Sequence, residues 1–558
     1  MKLRPYQEKC CNNIADELTK ATSTLAVMPT GMGKTVTFGH VAKRAKKDVL
    51  ILAHREELIF QAQDKIEAIT GTRPDVEMGD IFARQRGMFD GKSHVLVSSV
   101  QTQNAGKKCK CGGSCFSCVD GVRRRMQHFD PHQFELVIID EAHHATSPSY
   151  KRILNYYKSK NPDIKILGVT ATPDRADEKA LGQVFDTVAF EYSLPQAIDD
   201  GWLVPIHQEW VNVEGLDFSN IRTVKGDLCE SELQKVMEEE EALHGVVTPM
   251  MEIAGDRATL LFCVGVEQAK RCCEIINRHK KDSAIFIHGK TPKEERRELL
   301  KEFENGKYQY ICNCGVFLEG FDEPRIQVVA MARPTKSRSL YAQCVGRGTR
   351  ATVPLIAETP EERRAAIQNS NKPSMLVIDF VGNSGRHKLV SSADILGGDY
   401  EDDVVDAAVK EAKEKSKADP DYDVDMQAEL AKAAEEKARK RREAVKAKAK
   451  YSRQAISPFD LFDVTPPREP GWHKGRQPTR KQQAALAKMG VDQKEIDGMS
   501  FWQASKMLDT LIKRIDGNKC SFKQAKILQR FGQSTDVSFQ EASALIDRIA
   551  KNGWKPLA

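Results

Sequence analysis

The stretch Leu25–Thr35, Leu-Ala-Val-Met-Pro-Thr-Gly-Met-Gly-Lys-Thr, constrains this chain more than any other: an apolar run ends in a glycine turn that carries a lysine and a threonine. In a strand–turn–helix unit of this kind the strand delivers the turn, the glycines let backbone N–H groups approach phosphate oxygens, and the lysine neutralises the outer phosphates. The cradle here runs from Thr30 through Gly31, Met32 and Gly33 to Lys34, and Thr35 offers a hydroxyl to Mg²⁺. The general phosphate-loop pattern has a glycine five residues before Gly33, where this chain has Met28, so the shorter Thr-Gly-x-Gly-Lys-Thr form is read. The competing reading is a glycine-rich turn with a surface lysine.

At 558 residues the chain exceeds what one hydrophobic core can hold, so two large domains with smaller appendages are expected. Lys plus Arg exceed Asp plus Glu by 85 to 79, a net charge of +6 that says less about partners than the clustering does. The start, Met-Lys-Leu-Arg-Pro-Tyr-Gln, lacks the apolar core of a signal peptide, and no uninterrupted apolar stretch could cross a bilayer. A cytoplasmic protein, of a bacterium or a phage-infected host, is expected. Most of the 14 cysteines sit singly in apolar runs, as Cys263 does, or in pairs such as Cys272 and Cys273, the usage of reduced core thiols.

Strand-like runs beginning at Leu25, Val49, Val95, Leu136 and Ile166 alternate with helical stretches as far as Tyr192. That alternation predicts an α/β domain whose parallel sheet is covered on both faces and binds ligands outside the carboxyl ends of its strands. A second series, Leu260–Val264, Ala284–Ile287, Tyr310–Asn313, Gln327–Met331 and Met375–Ile378, predicts another such domain. The expected division is a first domain over residues 1–210, a linker or hinge over 211–242, and a second domain over 243–390. Residues 391–478, rich in Ala, Glu, Lys and Arg, suit a charged linker, helical or disordered.

The tail from 479 to 558 repeats itself: Lys481-Gln482, Leu486, Gly490, Phe501 and Ala504-Ser505 recur as Lys523-Gln524, Leu528, Gly532, Phe539 and Ala542-Ser543. Capping boxes at Thr479/Gln482, Ser500/Gln503, Ser521/Gln524 and Ser538/Glu541 mark four helix starts, and Gly490, Gly532 and Gly553 mark stops. Tandem helical hairpins are expected, with Phe501, Phe539, Leu508 and Ile546 facing inward.

Chemistry concentrates at three further places. Leu136-Val-Ile-Ile-Asp140-Glu141-Ala-His143 sets two carboxylates at the end of a buried strand: Asp140 can hold Mg²⁺ through water while Glu141 orients and deprotonates an attacking water. One acid alone could merely cap the next helix; adjacent acids after four aliphatics fit that poorly. Gly168-Val-Thr170-Ala-Thr172-Pro puts two hydroxyls after another strand, where an ordinary Thr-rich turn is the rival reading. Gln343-Cys-Val-Gly346-Arg347-Gly348-Thr-Arg350 sets two arginines three apart beside a helix, able to reach a γ-phosphate across a cleft or, on the bland reading, only to coat a solvated face.

Taken in order, Arg4-Pro5-Tyr6-Gln7, Thr30–Thr35, Ala53-His54-Arg55-Glu56-Glu57-Leu58, Ser99-Val100-Gln101-Thr102, Asp140–His143, Thr170–Thr172, Glu319-Gly320-Phe321-Asp322 and Gln343–Arg350 resemble the motifs of superfamily 2 DEAH-box helicases. Within them the chain is similar to the branch of type III restriction subunits and RadD-like bacterial proteins, over roughly residues 1 to 390. The resemblance implies two RecA-like domains in tandem with ATP in the cleft between them and nucleic acid across both. By position it implies that Arg4, Tyr6 and Gln7 serve the adenine, which the Gln7 amide can meet bidentately at N6 and N7. It gives Gly320, Asp322 and Gln343, with Arg347 and Arg350, to the far wall of the ATP cleft. It assigns His54, Arg55, Ser99, Gln101, Thr102, Cys263–Val266, His288, Gly289 and Lys290 to a sugar-phosphate strand, held without reading its sequence. His143, Thr170 and Thr172 would couple the two activities.

Cys109-Lys-Cys111-Gly-Gly-Ser-Cys115-Phe-Ser-Cys118, inside an insertion at 104–130, sets four thiols within ten residues, a set that suits tetrahedral Zn²⁺ or a free thiol cluster. In the resembling proteins cysteine clusters follow the second domain, so no role carries over. Lys437–Lys450 is basic enough to lie along phosphates or to be a solvated linker face. The expected function is ATP-dependent movement along nucleic acid or its unwinding, DNA before RNA, with ATP and Mg²⁺. The rivals are an ATP-gated clamp and the motor subunit of a restriction or defence complex. The terminal repeats, with Trp502 and Trp554, fit either a protein partner or a strand.

Overall fold

The computed structural model describes residues 2–83, 94–108, 122–171, 181–224, 226–315, 323–383, 390–396, 400–418, 424–448, 462 and 475–554. The chain divides into two compact units, Met1–Ile395 and Leu396–Ala558. Among the described residues no helix is long and apolar enough to cross a membrane.

The first unit begins with strands β1 (Ser23–Val27), β2 (Asp48–Ala53), β3 (Asp75–Glu77), β4 (Val95–Ser99), β5 (Gly106–Lys108), β6 (Val122–Arg124), β7 (Phe134–Asp140), β8 (Lys165–Thr170) and β9 (Thr187–Glu191). Seven of them form one parallel sheet in the order β3-β4-β2-β7-β8-β1-β9. Both faces are covered, so β1, β4 and all but the first or second residue of β2, β7 and β8 are buried, which is why these strands read as continuous apolar runs. Pairing aligns Val27 with Thr170 and Asp140 with Val169, so the loops leaving β1, β7 and β8 emerge side by side. The antiparallel pair β5–β6 brackets 109–121, which lies outside the described residues together with the four clustered cysteines.

The second sheet is built from β10 (Ile206–Asp217), β13 (Thr259–Cys263), β14 (Ala284–His288), β15 (Tyr310–Cys314), β16 (Val328–Ala332) and β17 (Met375–Asn383); β11 (Thr223–Val224) and β12 (Asp227–Leu228) form a separate short ribbon. Within this unit the order is β14-β15-β13-β16-β17-β10, all parallel. The architecture is therefore α/β, two RecA-like parallel sheets in tandem.

The expected hinge over 211–242 is not a connection. β10 pairs along β17, and the helices Glu230–Met237 and Glu240–Ala254 bury Leu233, Met237, Leu243, Val246, Val247 and Met250 in the second core. Their acidic residues made the stretch look like a solvated linker, but those carboxylates occupy the outer helical face. The passage between the domains is shorter: the Val204 N–H donates to the Thr349 carbonyl (2.8 Å), and Met375 N–H to that of Pro205 (2.9 Å).

In the second unit the charged stretch is a helical pair. Asp402–Ala418 and Met426–Lys448 pack on each other through Val404, Val405, Ala408, Ala412, Leu430, Ala433 and Ala434. Part of the basic run is neutralised internally, since Lys437 pairs with Glu401 and Asp403, and Lys440 with Glu436. The terminal repeats start at all four expected boxes. In the first helix of each hairpin the capping glutamine also bridges to the partner helix: Gln482 Nε2 donates to Ser505 Oγ at 2.7 Å, and Gln524 Nε2 to Ser543 Oγ at 2.9 Å. Of the four residues expected to face inward, Leu508 and Ile546 are half-buried against the core and Phe501 is half-buried, but Phe539 is 49% exposed; the core itself includes Leu486, Ile496, Ala504, Met507, Leu511, Phe522, Ala525, Leu528, Ala542 and Ile549. Phe522 and Phe539 each open a capped helix, yet only Phe522 enters the core, while the small Ala504 and Ala542 let the helices close.

Candidate active site

The loop after β1 turns through two left-handed glycines, Gly31 (φ 90°) and Gly33 (φ 73°), and Gly33 caps the helix Lys34–Arg44. Any side chain would also collide here: a Cβ on Gly33 would stand 2.6 Å from Gln7 Nε2, and one on Gly31 would stand 3.2 Å from Leu203 Cδ2. The glycines thus leave free N–H groups at a helix N-terminus, the composition of a phosphate cradle. Behind the loop, the buried Met32 offers its carbonyl to Tyr6 Oη (2.9 Å) and Gln7 Nε2 (3.1 Å), while Arg4 N–H donates to Gln7 Oε1 (2.9 Å). Gln7 spends one N–H and one lone pair this way and keeps one of each for a base. Thr35, in the first helical turn, is half-buried.

Asp140 and Glu141 leave the end of β7 buried, and Lys34 Nζ lies 3.3 Å from Glu141 Oε1. Glu141 is held at φ 50°, a left-handed conformation costly for a non-glycine residue. That turn starts a short 3-10 helix, Ala142–Thr146, whose first closing bond runs from His144 N–H to the Glu141 carbonyl (3.0 Å). His143 Nδ1 stands 3.5 Å from Glu141 Oε2 and 3.2 Å from Thr170 Oγ1, which unites two of the three expected coupling residues. Thr172 lies outside the described residues. A contact not anticipated in the sequence adds two rings: His144 lies 4.1 Å from His143, and His54 lies 4.4 Å from His144.

The second domain reaches into the same cleft. A Cβ on Gly31 would meet Arg350 Cγ and Nε at 3.4 Å, and one on Gly346 would meet Thr30 Cβ at 2.7 Å. Arg347 and Gln343 are buried next to them, Gln343 on the helix Arg338–Val345. Burial, and then the neighbouring Arg4 cation, pulls the Arg350 guanidinium down to about 10, which leaves it charged at neutral pH. Lys65, on the helix Glu56–Thr70, was missed by motif reading; burial first, then Arg350 and Arg347 against the opposing Asp140 carboxylate, holds it below the ordinary lysine range. Lys34, Lys65, Arg347 and Arg350 therefore gather around Asp140 and Glu141, an excess of cations suited to a polyanion. Gly320 and Asp322 lie outside the described residues.

Because a Cβ on Gly346 would stand 2.7 Å from Thr30 Cβ and 2.9 Å from the Ala342 carbonyl, Gly346→Ala should lower ATP turnover about tenfold or more by parting the two walls, with some loss of thermal stability from the second overlap. Steady-state hydrolysis and a melting curve check this.

Residues expected on a strand divide into two groups. Arg55, Gln101, His288 and Gly289 lie at the strand ends, with Gln101 and Gly289 exposed. Ser99 and Thr102 are buried: Ser99 caps the helix Val100–Asn104, its Oγ donates to Thr102 Oγ1 (2.7 Å), and Gly79 N–H donates to Thr102 Oγ1 (2.9 Å). They shape the loop rather than face outward, because a Ser-x-x-Thr run at a strand end satisfies the helix cap first. Cys263 and Val264 are buried, whereas Val266 is 46% exposed. Arg55 Nη1 donates to the Gly315 carbonyl at 3.2 Å, and Arg296 Nη1 to Glu57 Oε1 at 2.8 Å, so both bonds join the two domains. Among the described residues no group of three or more His, Cys, Asp or Glu could hold a metal; Cys109, Cys111, Cys115 and Cys118 lie outside them.

Comparison with known proteins agrees with this geometry. Residues 1–175 match the family of the type III restriction enzyme res subunit, and residues 240–352 match the helicase conserved C-terminal domain. A Saccharomyces cerevisiae protein, IRC3, provisionally named an ATP-dependent helicase, is 30% identical over 437 residues, covering 74% of this chain and 56% of its own length. An Escherichia coli type I restriction enzyme EcoAI endonuclease subunit is 23% identical, covering 62% of this chain and 44% of that protein. A Halobacterium salinarum protein, Rad25, provisionally named a DNA 3'-5' helicase, is 24% identical over 63% of this chain and 52% of its own length. The chain thus spans about half the length of these relatives.

Proposed function

The chain belongs to the superfamily 2 helicases of restriction-subunit type, and from that premise we propose that it hydrolyses ATP in response to nucleic acid, DNA before RNA, and uses the cycle to move along or open it. The observation that carries the reading is the approach of Arg350 and Gly346, from the second domain, to Gly31 and Thr30 of the first. DNA is favoured by the relative named for DNA.

The residues divide the work. N–H groups of the Gly31–Lys34 turn and the Lys34 ammonium receive the β- and γ-phosphates. Thr35 and, through water, Asp140 offer the hard oxygen donors that suit Mg²⁺, which when bound neutralises phosphate charge. Lys34 Nζ lies 3.3 Å from Glu141 Oε1, so a γ-phosphate competing for the ammonium would leave the carboxylate to accept a proton from the attacking water. Arg347 and Arg350 stabilise the charge that spreads over the transferred oxygens, at no reorganisation cost because both are already in the cleft. Loss of the γ-phosphate removes the anion that both domains bind, which weakens their hold on each other.

Purified protein with ATP and Mg²⁺ should hydrolyse faster with single-stranded, forked or duplex DNA than alone, and should displace a triplex or duplex strand. Hydrolysis with strand stimulation but no displacement would favour the clamp; no hydrolysis under any condition would reject the reading.

A further inference from the structure

We propose that His144 is a positioning residue, the middle ring of a row of three imidazoles in edge and tilted contact, through which the strand-facing loop and the second domain set the placement of Glu141. The inference deepens the ATPase reading above and rests on it. His54, His144 and His143 follow one another at ring separations of 4.4 and 4.1 Å, and His143 ends 3.5 Å from Glu141 Oε2. All three rings are partly buried, so displacing one displaces the next rather than water.

Both ends of the row are anchored where a signal would arise. At the outer end, the His54 carbonyl accepts from Gln101 Nε2 (2.9 Å) on the neighbouring strand-facing loop. The residues after it cross to the second domain: Arg55 to the Gly315 carbonyl, and Glu57 to Arg296. Arg296 in turn donates to the Thr291 carbonyl (3.2 Å) on the loop that carries His288. A strand that draws Arg55 or the second domain away from these bonds must move His54. At the inner end, His144 lies in the 3-10 turn that Glu141 opens, so a shift of its ring acts on a backbone already held at φ 50°. A left-handed residue between two rigid elements has few alternative placements and responds by switching rather than by drifting.

The test compares wild type, His144→Ala and His144→Phe for ATP hydrolysis with and without single-stranded DNA and for DNA affinity by fluorescence anisotropy. Breaking the row of rings should cut the DNA stimulation of kcat about 5- to 30-fold in His144→Ala, while basal kcat and DNA affinity stay within about twofold. His144→Phe, which keeps a ring between the other two, should recover stimulation to within about threefold of wild type. Equal stimulation in His144→Ala and wild type overturns the proposal, as does a matching fall in basal kcat, which marks a merely structural role. Loss in His144→Phe as deep as in His144→Ala overturns the row of ring contacts as the carrier. Wild type alone reports on the ATPase reading: a wild-type chain with no stimulated hydrolysis overturns both, whereas stimulated hydrolysis unaffected by either variant overturns this proposal only.

Discussion

Glu141→Gln should abolish steady-state ATP turnover, by about 10²- to 10⁴-fold, while the protein still binds ATP and holds its nucleic acid longer than wild type. The amide matches the carboxylate in size and leaves the φ 50° turn as it is, so the fold is not in question. What changes is proton affinity: an amide cannot take the proton of the attacking water. The substitution also removes the partner of Lys34, 3.3 Å away, so the ammonium meets an incoming phosphate without first giving up an ion pair, and ATP affinity should rise rather than fall. Rapid-quench hydrolysis and nucleotide binding by equilibrium dialysis measure the two effects separately. Normal turnover in this variant would remove Glu141 from the chemistry.

Arg350→Ala should cost about 10³- to 10⁵-fold in the hydrolysis rate, the range seen when an arginine acting on the γ-phosphate is withdrawn, with a far smaller change in ATP affinity. The asymmetry follows from location. The phosphate cradle, Lys34 and Gln7 all come from the first domain and persist in the variant, whereas Arg350 supplies charge that matters most when the transferred oxygens become more negative. Its guanidinium stays cationic, at about 10, despite burial, so the loss should show no strong pH dependence near neutrality. An Arg350→Lys protein should recover little, because a point charge on a shorter reach does not reproduce the planar fork.

The residues that close this cleft were legible because phosphate chemistry demands particular types at particular spacings. Gly31, Gly33 and Lys34 cannot be exchanged for lookalikes, and adjacent acids after a buried strand have few structural uses. Strand positions were equally readable, since parallel strands buried on two faces are continuous apolar runs. What escaped was whatever depends on which surface a residue finds once folded. β10 was divided between a domain and a hinge because its polar residues hid the pairing with β17. Ser99 and Thr102 look like ligands of a strand in one dimension, yet in three they satisfy a helix cap. Lys65 carries no motif at all; its helix follows β2, which pairs with the β7 strand that ends in Asp140, and only that adjacency brings the two charges together. The His54–His144 contact is of the same sort, two residues ninety positions apart joined by the adjacency of β2 and β7.

The claim beneath all of this is that one triphosphate is held from both sides, with lysine and acids on one domain and arginines on the other. A crystal structure of Glu141→Gln with ATP and Mg²⁺ tests it most directly. The account predicts Lys34 and Arg350 each within hydrogen-bonding distance, about 2.7–3.2 Å, of oxygens on the γ-phosphate. A nucleotide bound to Lys34 with Arg347 and Arg350 both turned away from it would contradict the account.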